Sequence, residues 1–389
     1  MISFENTQIA FSSKSNAELN RAYWLFKLVG SPALVKIGKS LTNFAMALHI
    51  PIKPFIKATI FKQFCGGETI DECSATIENL GKFNIGTILD YSVEGKEDEK
   101  DFDVTTQEII NTILKAKNSK YIPFSVFKVT GICRFSLLEK VNAKKTLNEN
   151  ETAEFERAKK RIEKICAHGF EHGIPVLIDA EESWIQDAID SIVEEMMQKF
   201  NKEKAIVYNT LQMYRHDRLA FLKQSYEKAV AGNYFLGVKI VRGAYMEKER
   251  ARAAEKGYPS PIQPDKASCD RDYDAALKFC VEHYERIALC AGTHNEKSSA
   301  LLAELLLQKN MDKKHPHFYF AQLLGMSDHI SFNLSNAGYN VAKYVPYGPV
   351  KEVLPYLIRR AEENTSVAGQ TGRELSLIIK ERKRRKADV

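Results

Sequence analysis

Eight short apolar segments that alternate with long amphipathic segments constrain the fold of this chain more than any other feature. The alternation begins after Gly81. The apolar segments are Ile85–Tyr91, Phe124–Thr130, Ile174–Asp179, Ala205–Thr210, Leu236–Val241, Ile287–Ala291, Phe318–Leu323 and Val341–Pro346. Between them, apolar residues recur at helical spacing in Thr106–Ala116, Glu154–His168, Ile185–Phe200, Arg218–Ala231, Asp272–Tyr284 and Ser298–Gln308. Continuously apolar strands that alternate with helices predict a parallel sheet covered by helices.

Eight strand–helix units after a helical preface favour an α/β fold of the closed (βα)8 TIM-barrel type over an open doubly wound sheet. In the preface, Ala17–Val29 and Ala33–Leu48 carry apolar residues at helical spacing. We therefore expect a helical segment at residues 1–80, a barrel at 81–370 and a basic tail at 371–389. No GxGxxG follows the first apolar segment and no GxxxxGKS or GxxxxGKT occurs, which argues against a Rossmann or P-loop protein.

Seven scattered cysteines without a CxxC pair are typical of buried, reduced thiols, and their spacing does not indicate a metal site. The N-terminus has no basic region followed by an apolar run, so no secretory signal is expected. The apolar segment Val29–Ile52 is interrupted by Lys36 and Lys39, which favours an amphipathic or core helix over a membrane-spanning one. Contact of this segment with a membrane surface is the alternative.

The net charge of +6 does not by itself indicate nucleic-acid binding, which requires a clustered basic face with aromatic residues. The basic run Lys380–Lys386 is interpreted as the solvated end of a helix. The alternative is a nucleic-acid-binding tail, which predicts salt-sensitive retention on DNA that is lost when the tail is deleted.

In a parallel barrel the chemistry lies at the carboxyl ends of the strands, and several of these ends carry unusual polar groups. The first strand ends near Asp90, with Glu94 just beyond it. Lys128 interrupts the apolar run SVFKVT, so its side chain must either extend to solvent or face a functional partner. Asp179 ends the third strand, where capping of the next helix is the alternative to a functional role.

The fifth strand has the densest set of candidates, in GVKIVRGAYMEKER. Alternation places Lys239 and Val241 on one face of the strand, with Ile240 and Arg242 on the other. The pair Gly243–Ala244 would let the backbone approach a ligand closely. A tight turn with an exposed arginine is an equal alternative.

Hydrogen-bonding side chains also follow the fourth and sixth strands. Gln212, after the fourth, could bind a ligand through its amide. Thr293, His294 and Asn295, after the sixth, could hold a phosphate, a ribose or a ring system. A metal site is the rival interpretation, but His294 lacks the partner of an HxH or HExxH motif.

The last unit, YVPYGPVKEVLPYLIRRAEEN, combines tyrosines with arginines. Tyr344 lies in the eighth strand, and Pro355 is predicted in the first turn of the helix that follows. One face of this helix carries Tyr356, Arg359, Arg360 and Glu363. Two adjacent arginines near a helix start oppose the macrodipole and require an anion. That anion could be a carboxylate ligand, held bidentately, or a salt bridge to Glu94 or Glu363.

Together these residues describe a pocket with cations for an anion, tyrosines for shape and donors for a cofactor. A Ser-His-Asp or Cys-His nucleophile is not evident, nor is a pair of carboxylates placed for hydrolysis. An anionic small substrate with a redox cofactor fits this set best.

The chain resembles the proline dehydrogenase family over roughly residues 60–370. The matching motifs are FKVTG with Lys128, LIDAEE with Asp179, TLQMY with Gln212, VRGAY at 241–245, THN at 293–295, QLLGM at 322–326 and YVPYGPVKEVLPYLIRRAEEN at 344–364. Each motif is weak alone, but their order and spacing are highly specific. The resemblance implies a distorted (βα)8 barrel, a final helix over the active-site mouth, and FAD bound non-covalently at the strand ends.

The resemblance also implies roles for individual residues. The expected catalytic residues are Asp179, Lys239, Lys128 and Tyr344. The substrate, through its carboxylate and ring, would contact Lys128, Tyr344, Tyr356, Arg359 and Arg360. The flavin would contact Gln212, Lys239, Val241, Arg242, Gly243, Ala244, Tyr245, Thr293, His294 and Asn295. Lys239 stands where many relatives have arginine, which keeps the charge but loses the planar fork. Glu94 would gate the site by pairing with Arg359.

The implied reaction is the oxidation of L-proline to Δ1-pyrroline-5-carboxylate, in which a hydride passes from proline C5 to flavin N5. Electrons would then pass to a quinone, which suggests peripheral contact with a membrane. The expected location is the cytoplasm, with a peripheral position at the inner membrane, on the matrix side in a mitochondrion. Nucleic acid is not an expected partner.

Two other flavin enzymes are alternatives. In the related hydroxyproline dehydrogenases, the residue at the position of Tyr344 looks smaller, which makes room for the hydroxyl group on the substrate ring. The tyrosine in this chain therefore favours proline as the substrate. A folate reductase would be reduced by NADH and not by proline.

Overall fold

In the computed structural model, the eight apolar segments form the strands of a closed barrel. The structure describes residues 2–31, 33, 36, 53–92, 97–366 and 370–387. The strands are β1 (Ile85–Tyr91), β2 (Phe124–Lys128), β3 (Val176–Asp179), β4 (Val207–Gln212), β5 (Leu236–Val241), β6 (Ile287–Gly292), β7 (Phe318–Leu323) and β8 (Val341–Tyr347). They follow one another around the barrel in chain order, with parallel ladders. The predicted TIM-type barrel is confirmed.

Helices precede the barrel and alternate with its strands. The preface contains α1 (Thr7–Ala10), α2 (Asn16–Val29), α3 (Lys53–Ile56), a π-helical turn (Lys57–Phe61), α4 (Lys62–Phe64) and α5 (Ser74–Gly81). The later helices are α6 (Glu99–Lys117), α7 (Phe135–Asn142), α8 (Glu149–His172), α9 (Ser183–Phe200), α10 (Arg218–Ala231), α11 (Met246–Lys256), α12 (Lys266–Glu282), α13 (Glu296–Gln308), α14 (Asp328–Asn336), α15 (Val350–Ser366) and α16 (Gln370–Ala387). The predicted helix at Ala33–Leu48 lies almost wholly outside the described residues.

Local signals in the sequence explain where several helices begin. Ser15 accepts a hydrogen bond from the N–H of Glu18, whose carboxylate accepts one from the Ser15 N–H in return. Asn148 and Glu151 form the same reciprocal pair at the start of α8. Each such cap satisfies N–H groups that would otherwise lack a partner, and a capping side chain typically stabilises its helix by about 1 kcal/mol.

The chain divides into two compact units, residues 1–93 with 322–389 and residues 94–321. In the first unit, helices of the preface and the C-terminus share one apolar core. This core includes Leu19, Phe26, Phe64, Leu357, Leu377 and Ile378. The run Lys380–Lys386 is the end of a helix, as predicted, and that helix packs against α2. The run is not wholly solvated as predicted, because Glu381 is buried and Arg385 donates to the carbonyls of Phe11 and Lys14 at 2.8 and 2.9 Å.

In the second unit, three aromatic rings pack together near the amino ends of β2, β4 and β7. The ring of Phe124 meets those of Tyr208 and Tyr319 edge-on, with centroids 5.6 and 4.8 Å apart. Burial of large aromatic side chains stabilises the fold, and each edge-on pair of rings adds about 0.5–1.5 kcal/mol of stability beyond the burial.

All seven cysteines lie in the described part of the chain, where they are buried and form no disulfide. Burial raises the pKa of Cys133 and of Cys290 to about 12, so these thiols stay neutral. Across the described residues, no helix combines the length and the apolar character needed to cross a membrane.

The structure corrects the predicted start of the helix that carries the paired arginines. Helix α15 begins at Val350, so Pro355 is its sixth residue and the prediction of a first-turn proline is wrong. The N–H groups of Glu352 and Val353 donate to the Pro349 carbonyl at 2.8 and 3.1 Å, which starts the helix earlier. The arginines are its tenth and eleventh residues, beyond the reach of the N-terminal dipole. The macrodipole argument for an anion is therefore wrong.

Candidate active site

Asp179, at the end of β3, brings together the lysines of β2 and β5. Its carboxylate pairs with Lys239 Nζ and lies 3.6 Å from Lys128 Nζ. The side chains of the two lysines are only 5% and 19% exposed, and that of Asp179 is 13% exposed. The carboxylate thus holds two ammonium groups at the ends of the strands, and ammonium groups can bind an anionic ligand through charge-assisted hydrogen bonds.

The structure argues against the two alternatives to a functional role, which were helix capping by Asp179 and extension of Lys128 to solvent. Glu182, not Asp179, occupies the N-cap position of α9. Lys128 and Asp179 are register partners in the parallel β2–β3 ladder, which sets their side chains at the same level. Lys128 therefore faces a carboxylate and does not simply extend to solvent.

Gln212, at the end of β4, links the segments that follow β3 and β5. Its Nε2 donates to the Glu181 carbonyl at 2.7 Å, and its Oε1 accepts from the Ala244 N–H at 3.2 Å. The side chain is buried, so both ends of the amide are matched to backbone groups. Its contact with a cofactor stays a prediction, whereas the two hydrogen bonds show that it holds the segments after β3 and β5 together.

Arg242, just after β5, is held by side chains from two later segments. Its guanidinium donates to Asp270 at 2.7 Å, to Thr293 at 2.7 Å and to Ser298 at 2.9 Å. The same group lies 4.3 Å from the centre of the Tyr273 ring. The alternative of an arginine exposed on a tight turn is wrong.

Gly243 has a backbone that only glycine adopts easily, with φ of 137°. A Cβ at this position would lie 2.5 Å from the Tyr214 ring. The glycine therefore allows the backbone to pack closely against an aromatic ring of the protein itself, whereas its close approach to a ligand stays a prediction. Gly243 and Ala244 are exposed, while Val241 and Tyr245 on either side are half-buried.

We expect Gly243→Ala to lower the free energy of unfolding by about 2–4 kcal/mol, because it adds both backbone strain and a clash. Gly257→Ala is the matched control, since Gly257 also has a positive φ, of 70°, but open space around the added Cβ. Its cost should be about 1 kcal/mol. Denaturant unfolding of both variants would measure the difference, and equal losses would contradict the clash.

The three residues after β6 serve the local structure in different ways. The Asn295 side chain caps α13, where it accepts from the N–H groups of Lys297 and Ser298 at 2.9 and 3.1 Å. Thr293 Oγ1 accepts from Arg242 and from the Asn295 N–H. His294 is half-buried between them. Their contacts with a flavin stay predictions.

Glu181 is a buried residue whose role the sequence did not indicate. One carboxylate oxygen accepts from the Thr130 N–H at 3.0 Å, and the other accepts from the Thr130 hydroxyl. The Glu181 N–H donates to Gln186 Oε1 at 2.8 Å. Burial raises the pKa of Glu181 to about 7, against the opposing effects of the Thr130 hydrogen bonds and the Lys128 charge.

The predicted tyrosines and arginines of the last strand and helix belong to the first unit. Tyr344, in β8, and Tyr356, in α15, are buried. Arg360 is 8% exposed, and its guanidinium lies 5.2 Å from the centre of the Tyr356 ring. Arg359 is half-buried, and its predicted gate partner Glu94 lies outside the described residues. The convergence of the arginines with Lys128 stays a prediction.

Comparisons with known proteins show which family the chain belongs to. The family model described as proline dehydrogenase matches residues 73–373. The chain is 34% identical to proline dehydrogenase 1, mitochondrial, of Dictyostelium discoideum, over 98% of this chain and 74% of the relative. It is 30% identical to hydroxyproline dehydrogenase of Xenopus laevis, over 96% of this chain and 88% of the relative.

A solved structure shares the fold. Proline utilization A from Bdellovibrio bacteriovorus, inactivated by N-propargylglycine, superposes with a TM-score of 0.73 at 20% identity. The match covers 92% of this chain but only 38% of that longer chain. The family match spans both the Asp179 group and the paired arginines of α15, as the sequence motifs predicted. The chain belongs to the proline dehydrogenase family.

Proposed function

We propose that this chain oxidises L-proline to Δ1-pyrroline-5-carboxylate, the first step of proline catabolism, with FAD as its cofactor. Family membership supports the activity. Within the site, the observation that carries the proposal is the Asp179 carboxylate between Lys128 and Lys239, because it holds two ammonium groups where parallel strands end. Strand ends are where barrel enzymes carry their chemistry.

The cations of the family motifs bind the substrate carboxylate in this proposal. Lys128, Arg359 and Arg360 hold it, and Asp179 orients Lys128. Burial of Arg360 against the Tyr356 ring supports this role, since a stacked guanidinium presents its planar edge to a carboxylate. Tyr344 lines the ring of the substrate, and Glu94 with Arg359 gates the entrance.

The hydrogen-bond donors at the ends of β4, β5 and β6 fit a dinucleotide such as FAD. The exposed backbone of Gly243 and Ala244 permits close approach, and Arg242 offers a fixed planar cation for a phosphate. The proposed contacts are Gln212, Lys239, Val241, Arg242, Gly243, Ala244, Tyr245, Thr293, His294 and Asn295. When bound, FAD supplies an acceptor at N5 for the hydride that leaves proline C5. The protein supplies orientation, because proline anchored by its carboxylate can present C5 in only a few ways.

A quinone is the proposed electron acceptor, with peripheral contact between the protein and a membrane in the cytoplasm or the mitochondrial matrix. Large apolar side chains on the preface support a membrane-facing surface. Trp24 and Phe55 are 57% and 73% exposed, and Lys27 lies 5.1 Å from the centre of the Trp24 ring. Apolar side chains flanked by lysines are typical of surfaces that bind membrane interfaces.

The visible spectrum of the purified protein tests the function. We expect flavin absorption bands that bleach when L-proline is added without oxygen, because the proposed reaction transfers two electrons to the flavin. A colourless protein, or flavin reduced by NADH and not by proline, would contradict the proposal.

Hydroxyproline oxidation is the second candidate, supported by similarity to the Xenopus relative. The same titration with trans-4-hydroxy-L-proline separates the two. We expect slower bleaching than with proline, because the buried Tyr344 leaves less room for a ring hydroxyl.

A further inference from the structure

We infer that Glu181 is a positioning residue for substrate binding: its carboxylate fixes the Thr130 segment and thereby the end of β2, from which Lys128 reaches the substrate. The inference rests on the proposed function, since it concerns the same site. It assigns a task to a buried carboxyl group that neither the ion pairs of the site nor the cofactor contacts use.

The geometry follows from the pairing of β2 with β3. Lys128 and Asp179 are register partners, and their side chains meet. Two residues further along each chain, Thr130 and Glu181 meet in turn. Both strands have ended by this point, since β2 ends at Lys128 and β3 at Asp179. The Glu181–Thr130 contact is therefore the side-chain link that follows the Lys128–Asp179 pair beyond the ends of the two strands.

The chain leaves β2 at Lys128, where an irregular path begins. Val129–Gly131 forms a short 3-10 turn, so the regular ladder no longer fixes this backbone. Glu181 replaces the ladder, because its two oxygens accept from the Thr130 N–H and hydroxyl. A displaced turn would carry Lys128 away from its site, since Lys128 is the residue directly before it.

Glu181 can act as an anchor because its own backbone is fixed on both sides. Its N–H donates to Gln186 Oε1 at 2.8 Å, and its carbonyl accepts from Gln212 Nε2 at 2.7 Å. Gln186 in turn donates to Asp190, which pairs with Arg218 at 2.7 Å. All of these side chains are buried. The anchor is thus part of a hydrogen-bonded network and not a lone surface contact.

The anchor is expected to titrate near neutral pH. Burial, with a smaller contribution from the Glu182 charge, raises the pKa of Glu181 to about 7, although the Thr130 hydrogen bonds and the Lys128 charge act to lower it. Glu182 itself forms an ion pair with Lys248 of α11. The buried Cys133 thiol also interacts electrostatically with the Glu181 carboxyl group. A neutral carboxyl group has one oxygen that carries a proton, so it cannot accept from both Thr130 donors at full strength.

Glu181→Gln tests the inference through the ratio of wild-type to variant kcat/KM for L-proline between pH 6 and 9. The ratio cancels the ionisation of the proline amine, which affects both proteins equally. We expect a ratio near 1 at pH 6, where wild-type Glu181 is neutral, and about tenfold at pH 8.5, mostly through KM. A ratio that does not change with pH would overturn the inference.

Two further variants predict shifts of opposite sign in the midpoint of the wild-type pH profile. Thr130→Val removes a donor to the ionised carboxylate and should move the midpoint upward, whereas Thr130→Ser keeps the donor and should restore it. Glu182→Gln removes a neighbouring negative charge and should move the midpoint downward. Shifts in the same direction, or none, would contradict the assignment. These variants keep the test available if Glu181→Gln does not fold.

A measurement without substrate separates this inference from the proposed function. A carboxyl group with a raised pKa contributes stability below its ordinary pKa of 4.5 that is lost as pH rises through about 7. We expect Glu181→Gln to remove this loss from the pH dependence of thermal unfolding. If the wild type shows this pH dependence but does not oxidise proline, the proposed function fails. If the wild type oxidises proline with flat kinetic and stability ratios, the inference alone fails.

Discussion

Lys128→Met is expected to lower kcat/KM for L-proline roughly 30- to 160-fold, which corresponds to about 2–3 kcal/mol of lost charge-assisted binding. Methionine fills a similar volume but carries no ammonium group for the substrate carboxylate. Most of the effect should lie in KM, because the carboxylate contact exists before and during the reaction. The flavin content should stay at the wild-type level, which the visible spectrum measures.

Lys159→Met is the matched control for this prediction. Lys159 is 27% exposed and pairs with Glu195 at 2.8 Å, so it resembles Lys128 in exposure and in having a carboxylate partner. It lies in α8 and not at a strand end. We expect its kcat/KM to remain within about twofold of wild type, because a surface pair contributes at most about 1 kcal/mol to stability. Wild-type kinetics in Lys128→Met would refute the proposed carboxylate site.

The second large effect is expected from Asp328→Asn, which should reduce the free energy of unfolding by about 3–5 kcal/mol at pH 7. Asp328 lies 2.7 Å from Lys343 Nζ and 3.1 Å from Lys14 Nζ. Lys343 is fully buried, so loss of the carboxylate leaves its ammonium group to backbone carbonyls of Leu323 and Met326. Denaturant unfolding would measure the loss.

The pH dependence of this loss has a definite sign. Burial alone would raise the pKa of Asp328, but the Lys14 and Lys343 charges outweigh it and hold the pKa well below its ordinary value of 3.8. The carboxylate therefore stabilises the fold above pH 3.8, and this contribution is lost as pH falls further. The penalty of Asp328→Asn should be constant from pH 7 to about 5 and shrink in more acidic solution.

Glu5→Gln provides the comparison for Asp328→Asn. Glu5 also meets two cations, Arg373 and Lys380, but its side chain is 59% exposed. An exposed pair of this kind contributes about 0–1 kcal/mol, so the variant should unfold almost as the wild type does. Equal losses in Asp328→Asn and Glu5→Gln would mean that burial of Lys343 is not what makes its partner important.

The sequence predicted three strands with the limits that the structure has, β1, β5 and β7. Each is a mostly apolar run with polar or turn residues close by on both sides, even though β1 contains Asp90, β5 contains Lys239 and β7 contains Gln322. The end of β2 was placed two residues too late, because the apolar residues after Lys128 enter a 3-10 turn. The end of β4 was placed two residues too early, because Gln212 is polar yet pairs with Val241 in the ladder. Side-chain polarity alone does not indicate such backbone pairing.

For the site, residue type indicated the cations but not their partners. Asp179 and Lys128 were predicted because they interrupt or end apolar runs. The partners of Arg242 were missed, since Asp270 and Ser298 lie 28 and 56 residues away along the chain. Glu181 was missed for the same reason, with Thr130 separated from it by 51 residues. A single sequence shows which groups need partners, whereas the fold decides which groups supply them.

The setting of Arg242 has a consequence for binding thermodynamics. A free arginine side chain loses roughly 2 kcal/mol of rotamer entropy when it is immobilised. Here Asp270, Thr293, Ser298 and the Tyr273 ring already hold the guanidinium. The entropy of the Arg242 side chain is therefore lost when the chain folds and not when a ligand binds. An anion that binds to this guanidinium would bind more tightly, because no further side-chain entropy is lost.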